Sequence, residues 1–512
     1  MLPRYAEAAT VYVSQAGGSV SCGTSGTQTT TAIASVVWTA GNTYELCGSI
    51  TSQVAPSASG TSGSPITILF ASNGILNPTV CPSTGCINIA NLSWIVINGG
   101  AVCGYVNRVN VSCSGSIYPT ASGSAYGNGA TSMKGIQADS CANCEIENMD
   151  VYLYAHTSST DAPTGLIECV SIRSGEAAGN FIKVHNNVIH DCGSAIVYVP
   201  SGTNDTGPQS YNNYEYNNNS HMDISNNNNG TLTQALVHDN HFGATANWDT
   251  TSPLCSGHHN SLHAFAYTTT NSGIQYYNNY IDGNWGNCPT SELFFEGNGS
   301  VNNNCVIFNN VFNATYQQMN NGVVYATCGG ASYFLNNTIL GDVQPGDNGL
   351  ALTPNSGATW VVENNLIGKI SGTDYLTNAA LATLTGGVTT WDYNLYSGNG
   401  SLSNVWAVNC GSGCTYYSTL AAWTTATTFD SHGQAGASST FLATNSDGTL
   451  QSTSPAIGGG QNLTSLGFSA LDSDIAGNPR PATGAWDAGA YNSVTAVGSK
   501  PAAPTNLLDA VN

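Results

Sequence analysis

Three of the chain's ten histidines, His258, His259 and His263, fall in one short stretch. The run before it offers His221 and Asp223, and the run after it offers Glu292 and Glu296. An imidazole can take or give a proton near neutral pH, and a carboxylate that orients it raises its basicity. Imidazole and carboxylates in one place are therefore equipment for acid–base cleavage, provided the fold brings these separated runs together.

The elements that would do so are written as a repeat. An apolar residue, a variable one, two polar positions ending in Asn, a variable one and another apolar residue recur as VHNNVI (184–189), VHDNHF (237–242), YYNNYI (276–281), IFNNVF (307–312), FLNNTI (334–339), VENNLI (362–367) and WDYNLY (391–396). With Asn213 in SYNNYEY included, the second Asn stands at 187, 213, 240, 279, 310, 337, 365 and 394. The period is a coil of about 27–30 residues with insertions. Short alternating runs rich in Val, Ile, Tyr and Phe predict strands, and Gly and Asn clusters predict turns. One such unit cannot bury its apolar face alone, but stacked units share a continuous core. An Asn at one place in every coil can hydrogen-bond along the stack and satisfy a buried turn.

This pattern resembles the asparagine ladder of right-handed parallel β-helices, the pectin-lyase-like superfamily, and implies an all-β solenoid of three strands per coil. The expected division is an N-terminal cap and irregular first coils over 1–100, a central β-helix over 101–400, C-terminal coils with a closing segment over 401–491, and a Pro/Ala-rich tail over 492–512. The resemblance further implies that the sheet built by the third strands faces a polysaccharide-binding groove.

Third strands aligned on apolar residues read HMDI (221–224), NSLHAFA (260–266), SELFFEG (291–297), NGVVYAT (321–327) and NGLALTP (348–354). Side chains alternate along a strand. If Met222, Leu262, Ala264, Leu293 and Phe295 point inward, the outward set is His221, Asp223, His259, Ser261, His263, Phe265, Glu292, Phe294 and Glu296. Later coils are expected to present only Val324, Ala326, Ala351 and Thr353. Strands stack about 4.8 Å apart, so Asp223 and His263 are expected to meet, with Glu292 and Glu296 diagonally about 8 Å from His263. Asp223 and either Glu come out about 11–12 Å apart, beyond the usual glycosidase pair of about 5–9.5 Å. The catalytic expectation is thus His263 with Asp223, and Glu296 or Glu292 as partner acid.

His221, His259, Phe265 and Phe294 are expected to bind substrate on the same face. Long loops at 243–257 and 282–290 each carry a Trp and a Cys. Trp248 and Trp285 are read as platforms for sugar rings, Asp249 as a further carboxylate, and Cys255 with Cys288 as a staple between the loops. Calcium held by Asp223, Glu292, Glu296 or Asp282 is the cofactor alternative to none.

Only 8 of the 512 residues are Lys or Arg against 29 Asp or Glu, a net charge of −21. Such a surface repels nucleic acid and anionic membranes. No apolar run approaches the roughly 18 residues of a membrane-spanning helix. Arg173 and Lys183 fall two or more coils from His263 and read as coil-edge ion pairs. Sixteen Cys, with Cys22 and Cys47, Cys169 and Cys192, and Cys305 and Cys328 about a coil apart, fit disulfides in an oxidising compartment. The start of the chain has no apolar leader core, so the expectation is a secreted or extracellular protein whose signal peptide lies outside this sequence or which leaves the cell by another route. The leading expectation is a monomeric secreted enzyme cleaving polysaccharide glycosidic bonds, with hydrolysis of a neutral glycan preferred. A calcium-assisted lyase and a non-catalytic adhesive β-helix are the alternatives.

Overall fold

The computed structural model describes residues 8–493, apart from 122–131, 154–166, 174–180, 249–258, 341–348, 371–384, 409–414 and shorter stretches of one to four residues. Three long sheets of 15, 13 and 13 strands run the length of the molecule, and nearly all of their pairings are parallel. In each coil a strand of the first sheet, the ladder turn, a strand of the second sheet, a loop and a strand of the third sheet follow in order, as in Leu236–His238, His241–Phe242 and Leu262–Ala266. The fold is a right-handed parallel β-helix, the hand that crossovers between parallel strands take.

The two polar positions of the repeat have different tasks. The residue before each ladder Asn is left-handed: Asn186, Asn212, Asp239, Asn278, Asn309, Asn336, Asn364 and Tyr393 have φ between 49° and 61°. Asn and Asp tolerate this conformation because their short polar side chains can bond locally, and Tyr393 is the one departure. The ladder Asn itself is buried. Asn279 Oδ1 accepts from the backbone N–H and the Nδ2 of Asn240, both at 3.1 Å, while its own Nδ2 donates to the Val237 carbonyl and to Asn310 Oδ1. The same pattern links Asn187, Asn213, Asn240, Asn279, Asn310, Asn337, Asn365 and Asn394. Asp430 takes the last amide, and Tyr396 and Trp423 donate to its other oxygen. Burial raises the Asp430 carboxyl to about 7.

Between the sheets lies a continuous apolar core. Its third-sheet wall is the row Ile196, Met222, Leu262, Leu293, Val324 and Leu350. Disulfides join Cys22–Cys47, Cys169–Cys192 and Cys305–Cys328, the pairs spaced about a coil apart. Cys81–Cys86, Cys103–Cys113 and Cys141–Cys144 are also bonded. Cys141 and Cys144, in the spacing Cys-Ala-Asn-Cys, thus form a local disulfide. Cys255 and Cys288 lie outside the described residues, as does the tail from 494.

Replacing Asn279 by Ala strands the Asn240 amide and the Val237 carbonyl in the core. Loss of about 3 kcal/mol of stability is expected, read as a lower denaturation midpoint; an unchanged midpoint would remove the ladder from the forces that hold the coils.

Candidate functional site

The predicted register holds on the third sheet from Asp223 to Phe294 and slips by one residue in the next coil, where Tyr325 rather than Val324 stands level with Phe294. Asp223 pairs with His263, His263 with Phe294, and Phe294 with Tyr325, while Phe265 pairs with Glu296. His263 lies between two carboxylates. Its Nε2 is 3.1 Å from Glu296 Oε2 and its Nδ1 is 3.9 Å from Asp223 Oδ1. Hydroxyls hold Asp223 in place, with Ser194 donating to Oδ2 at 2.5 Å and Ser220 to Oδ1 at 2.9 Å. The Phe294 ring stacks on the imidazole at 5.0 Å and 17°. The Phe265 ring lies 5.6 Å away. The side chains of His263, Asp223 and Glu296 are 13%, 22% and 33% exposed, so all three reach the surface from a packed setting.

Bridged by one imidazole, Asp223 and Glu296 are closer than the strand arithmetic implied. Their separation is bounded by the two contacts and the ring between them, within the upper limit of the about 6.5–9.5 Å of inverting glycosidases. Glu296 sits one step diagonal to His263 and folds its long side chain back across the strand.

Four residues expected on this face are instead inside. His221, His259, Ser261 and Glu292 are fully buried. The cause is a step repeated where each coil enters the sheet. Two consecutive residues turn inward, at Cys169–Val170, Ala195–Ile196, His221–Met222, Ser261–Leu262 and Glu292–Leu293, and all ten are buried. Alternation then resumes with Asp223, His263 and Phe294. Ser261 accepts the Tyr276 hydroxyl inside the core at 2.8 Å. The Nε2 of His221 lies 3.0 Å from the Gly243 carbonyl, and its ring packs near Phe242 and Trp285. Burial pushes the His221 imidazole down to about 3. The Nδ1 of His259 lies 2.6 Å from the Asn219 carbonyl. Burial raises the Glu292 carboxyl well above the ordinary range, and neither of its oxygens reaches hydrogen-bonding geometry, although the Ala314 amide bears on it.

The Trp platforms are likewise corrected. Trp248 and Trp285 are buried in the core, bonded through Nε1 to the Asn217 and Asp282 carbonyls respectively. The corner where the loops leave the second sheet is wide, and an indole gains more by filling it than by standing in water. Asp249 lies outside the described residues. Val324 and Ala326 point inward, and Tyr325, which alternation counted from Leu293 would have found, takes the outer position and meets Phe294 edge-on at 5.2 Å.

The residues proposed for calcium do not assemble. Asp223 is held by the two serines, Glu296 by His263, and Asp282 by His241 at 2.7 Å, while Glu292 is inside. Among the described residues, the grouping whose ligand atoms converge is Glu145, Glu147 and His185, on the outer face of the first sheet. There Glu145 pairs with His185 at 2.9 Å and lies 3.9 Å from Lys183. The hydrogen bond from His185 lowers the Glu145 carboxyl, while burial raises Glu147. Arg173, as expected for a coil-edge ion pair, pairs with Glu168, and its backbone amide donates to Asp139. Burial opposes its charge, but Glu168, Asp139 and Asp223 together hold it more firmly protonated than usual.

No known family profile and no curated protein matches the chain. Among solved structures it is similar to a pectate lyase, Pel9A, at 14% identity over 96% of this chain and 97% of that one, with a TM-score of 0.40. It is similar to XylC in complex with xylose at 11% identity over 78% and 84%, TM-score 0.38. A GH136 lacto-N-biosidase from Eubacterium ramulus is 11% identical over 72% and 64%, TM-score 0.29. Likenesses at this level carry no information about the chemistry of the site.

Glu292, and Glu215 in the neighbouring second-sheet row, are buried acids raised by desolvation. The unfolded chain ionises them near pH 4.5 while the folded chain keeps their protons, so each lowers stability as pH rises above that value. Glu292→Gln is expected to raise the melting midpoint at pH 8 and to change it little at pH 4; an equal shift at both would show that Glu292 is not carried as a neutral acid.

Proposed function

We propose that the protein is a secreted, monomeric carbohydrate-active enzyme that hydrolyses glycosidic bonds of a neutral or weakly charged polysaccharide laid across the third sheet. The observation that carries this reading is His263 held between Asp223 and Glu296 on a partly open face, with aromatic rings beside it. Substrate would lie along Phe265 and Tyr325, whose partly exposed rings offer apolar faces to sugar C–H groups, while Phe294, buried at 3% exposure, backs the imidazole instead of meeting the substrate. A net charge of −21 disfavours a highly charged anionic substrate, as it disfavours nucleic acid or anionic membranes as partners. Six disulfides among the described residues fit an oxidising, extracellular setting.

The chemistry follows from the contacts. Water attacks the anomeric carbon as His263 takes its proton, and Glu296 gives its proton to the departing glycosidic oxygen. The C–O bond to the leaving sugar breaks as the new C–O bond forms. His263 is left protonated beside ionised Glu296, and the 3.1 Å contact returns the proton to reset the pair. Asp223, fixed by Ser194 and Ser220, stabilises the transient imidazolium. No step requires a metal.

The test is incubation with neutral and acidic polysaccharides, with and without chelator, following new reducing ends and ultraviolet absorbance from unsaturated ends. Reducing ends without absorbance are expected, and His263→Ala should lower the rate by at least about 100-fold with little change in melting temperature. Absorbance that disappears with chelator would replace hydrolysis by metal-assisted elimination. Binding without either signal would replace it by adhesion.

A further inference from the structure

A second built cavity lies away from the His263 face. The segment 103–113 is a hairpin, Gly104–Val106 against Val109–Val111, closed by the Cys103–Cys113 disulfide. It docks on the ladder turns: the Tyr105 amide donates to the Asn212 carbonyl at 2.7 Å. Gly104, at φ 79°, lies so close to Asn186 and Asn212 that a Cβ there would sit 2.5 Å from the Asn212 oxygen. The hairpin tip, Asn107–Arg108, is left-handed at both residues and delivers Arg108 over the outer face of the second sheet. From the far end of the chain, the closing segment brings Asp447 and Tyr491 to the same place. Together they line an open pocket of about 250 Å³.

The walls are chemically specific. The Arg108 guanidinium stands 5.3–5.7 Å from the rings of Tyr105, Tyr280 and Tyr491. Its hydrogen bonds go to uncharged acceptors, Tyr491 Oη at 2.8 Å and the Ile475 carbonyl at 3.4 Å. Of the five guanidinium donors, three have no partner among the described residues. His241 is clamped between Asn110 at 2.9 Å and Asp282 at 2.7 Å, which fixes the imidazole and turns Asn110 into the cavity wall. Asp447 adds an acceptor.

We propose that this cavity binds a single neutral sugar residue, such as the end or a branch of a glycan chain, separately from the His263 face. Planar Arg, Asn and Asp groups suit the paired donors and acceptors of vicinal hydroxyls, and tyrosine rings suit the apolar face of a pyranose. Two carboxylates, Asp447 and Asp282, to one guanidinium weigh against an anionic ligand. A structural clasp alone would not require the open volume or the unused donors. The inference stands whether or not His263 is catalytic.

The test is calorimetric titration of the full chain with methyl glycosides of glucose, galactose, mannose and xylose, and with galacturonate as the charged arm. At least one neutral glycoside is expected to bind. Asp447→Ala and Asn110→Ala, both at exposed positions, should each weaken it by about tenfold, and His263→Ala should leave it unchanged. Melting curves check that each variant keeps the fold. Should Asn110→Ala melt early, Asp447→Asn gives the same reading, because it preserves the turn volume while removing the charge. Absence of binding by every neutral glycoside, binding of galacturonate alone, binding indifferent to both wall variants in folded protein, or binding lost in His263→Ala would each overturn the proposal.

Discussion

A solenoid must turn its backbone inside its own core once per coil, and the amides of that turn have no water to bond. The ladder asparagines answer this constraint, each satisfying a backbone amide and a backbone carbonyl of the coil before it. Because the bond is made at the same point every time, it fixes the register of adjacent coils in all three sheets. Equivalent side chains then fall into rows. On the first sheet this produces the stack His185, Tyr211, His238, Tyr277 and Phe308, with rings nearly parallel and 4.5–5.1 Å apart. On the third sheet the same registration sets Asp223, His263, Phe294 and Tyr325 in line.

The middle coils contain an uncommon amount of buried polarity. Glu215 occupies a second-sheet row otherwise filled by Ile189, Phe242, Ile281 and Phe312. Glu292, His221 and the Tyr276 hydroxyl enter the same interior from the other sheets. Their titrations oppose one another. His221, neutral in the fold down to about 3, costs stability as pH falls below its ordinary 6.5. The two acids cost stability as pH rises above 4.5. On the outer face His190 adds to the alkaline side: burial works against its charge, but Asp150 and Asp191 raise it to about 9, so its contribution is full below 6.5 and lost towards 9. These groups place the interior's preferred pH on the acid side of neutrality.

The spacing of VHNNVI and its copies was enough to read the coil, the ladder and the strand order, because a constraint that recurs at a fixed position leaves a periodic trace. The Asp223–His263 pairing was legible for the same reason. Strict alternation then failed at His221, His259, Ser261 and Glu292, since the inward step at each coil's entry is a three-dimensional corner with no composition of its own. Trp248 and Trp285 misled in a similar way, because an indole in a loop reads alike whether it faces solvent or plugs a gap. As small polar residues, Ser194 and Ser220 carry no sequence signal that would link them to the site. Only the register shows that they stand beside Asp223.

The scarcity of cations explains where the chemistry can lie. Arg480 is buried against Asn309 and the Asp487 and Gly489 carbonyls, with Trp486 over it, and burial lowers its guanidinium to about 10. Arg108 ties the hairpin to the closing segment. Both therefore act where distant parts of the chain meet, holding the closing segment against the ladder-turn side of the middle coils. Arg173 and Lys134 are engaged with Glu168 and Asp139 at the edge of the third sheet. Among the described residues, His263 touches the carboxylates of Asp223 and Glu296 and the rings of Phe265 and Phe294. Under the proposed hydrolysis, carboxylates placed this way would stabilise positive charge as it develops in an oxocarbenium-like transition state.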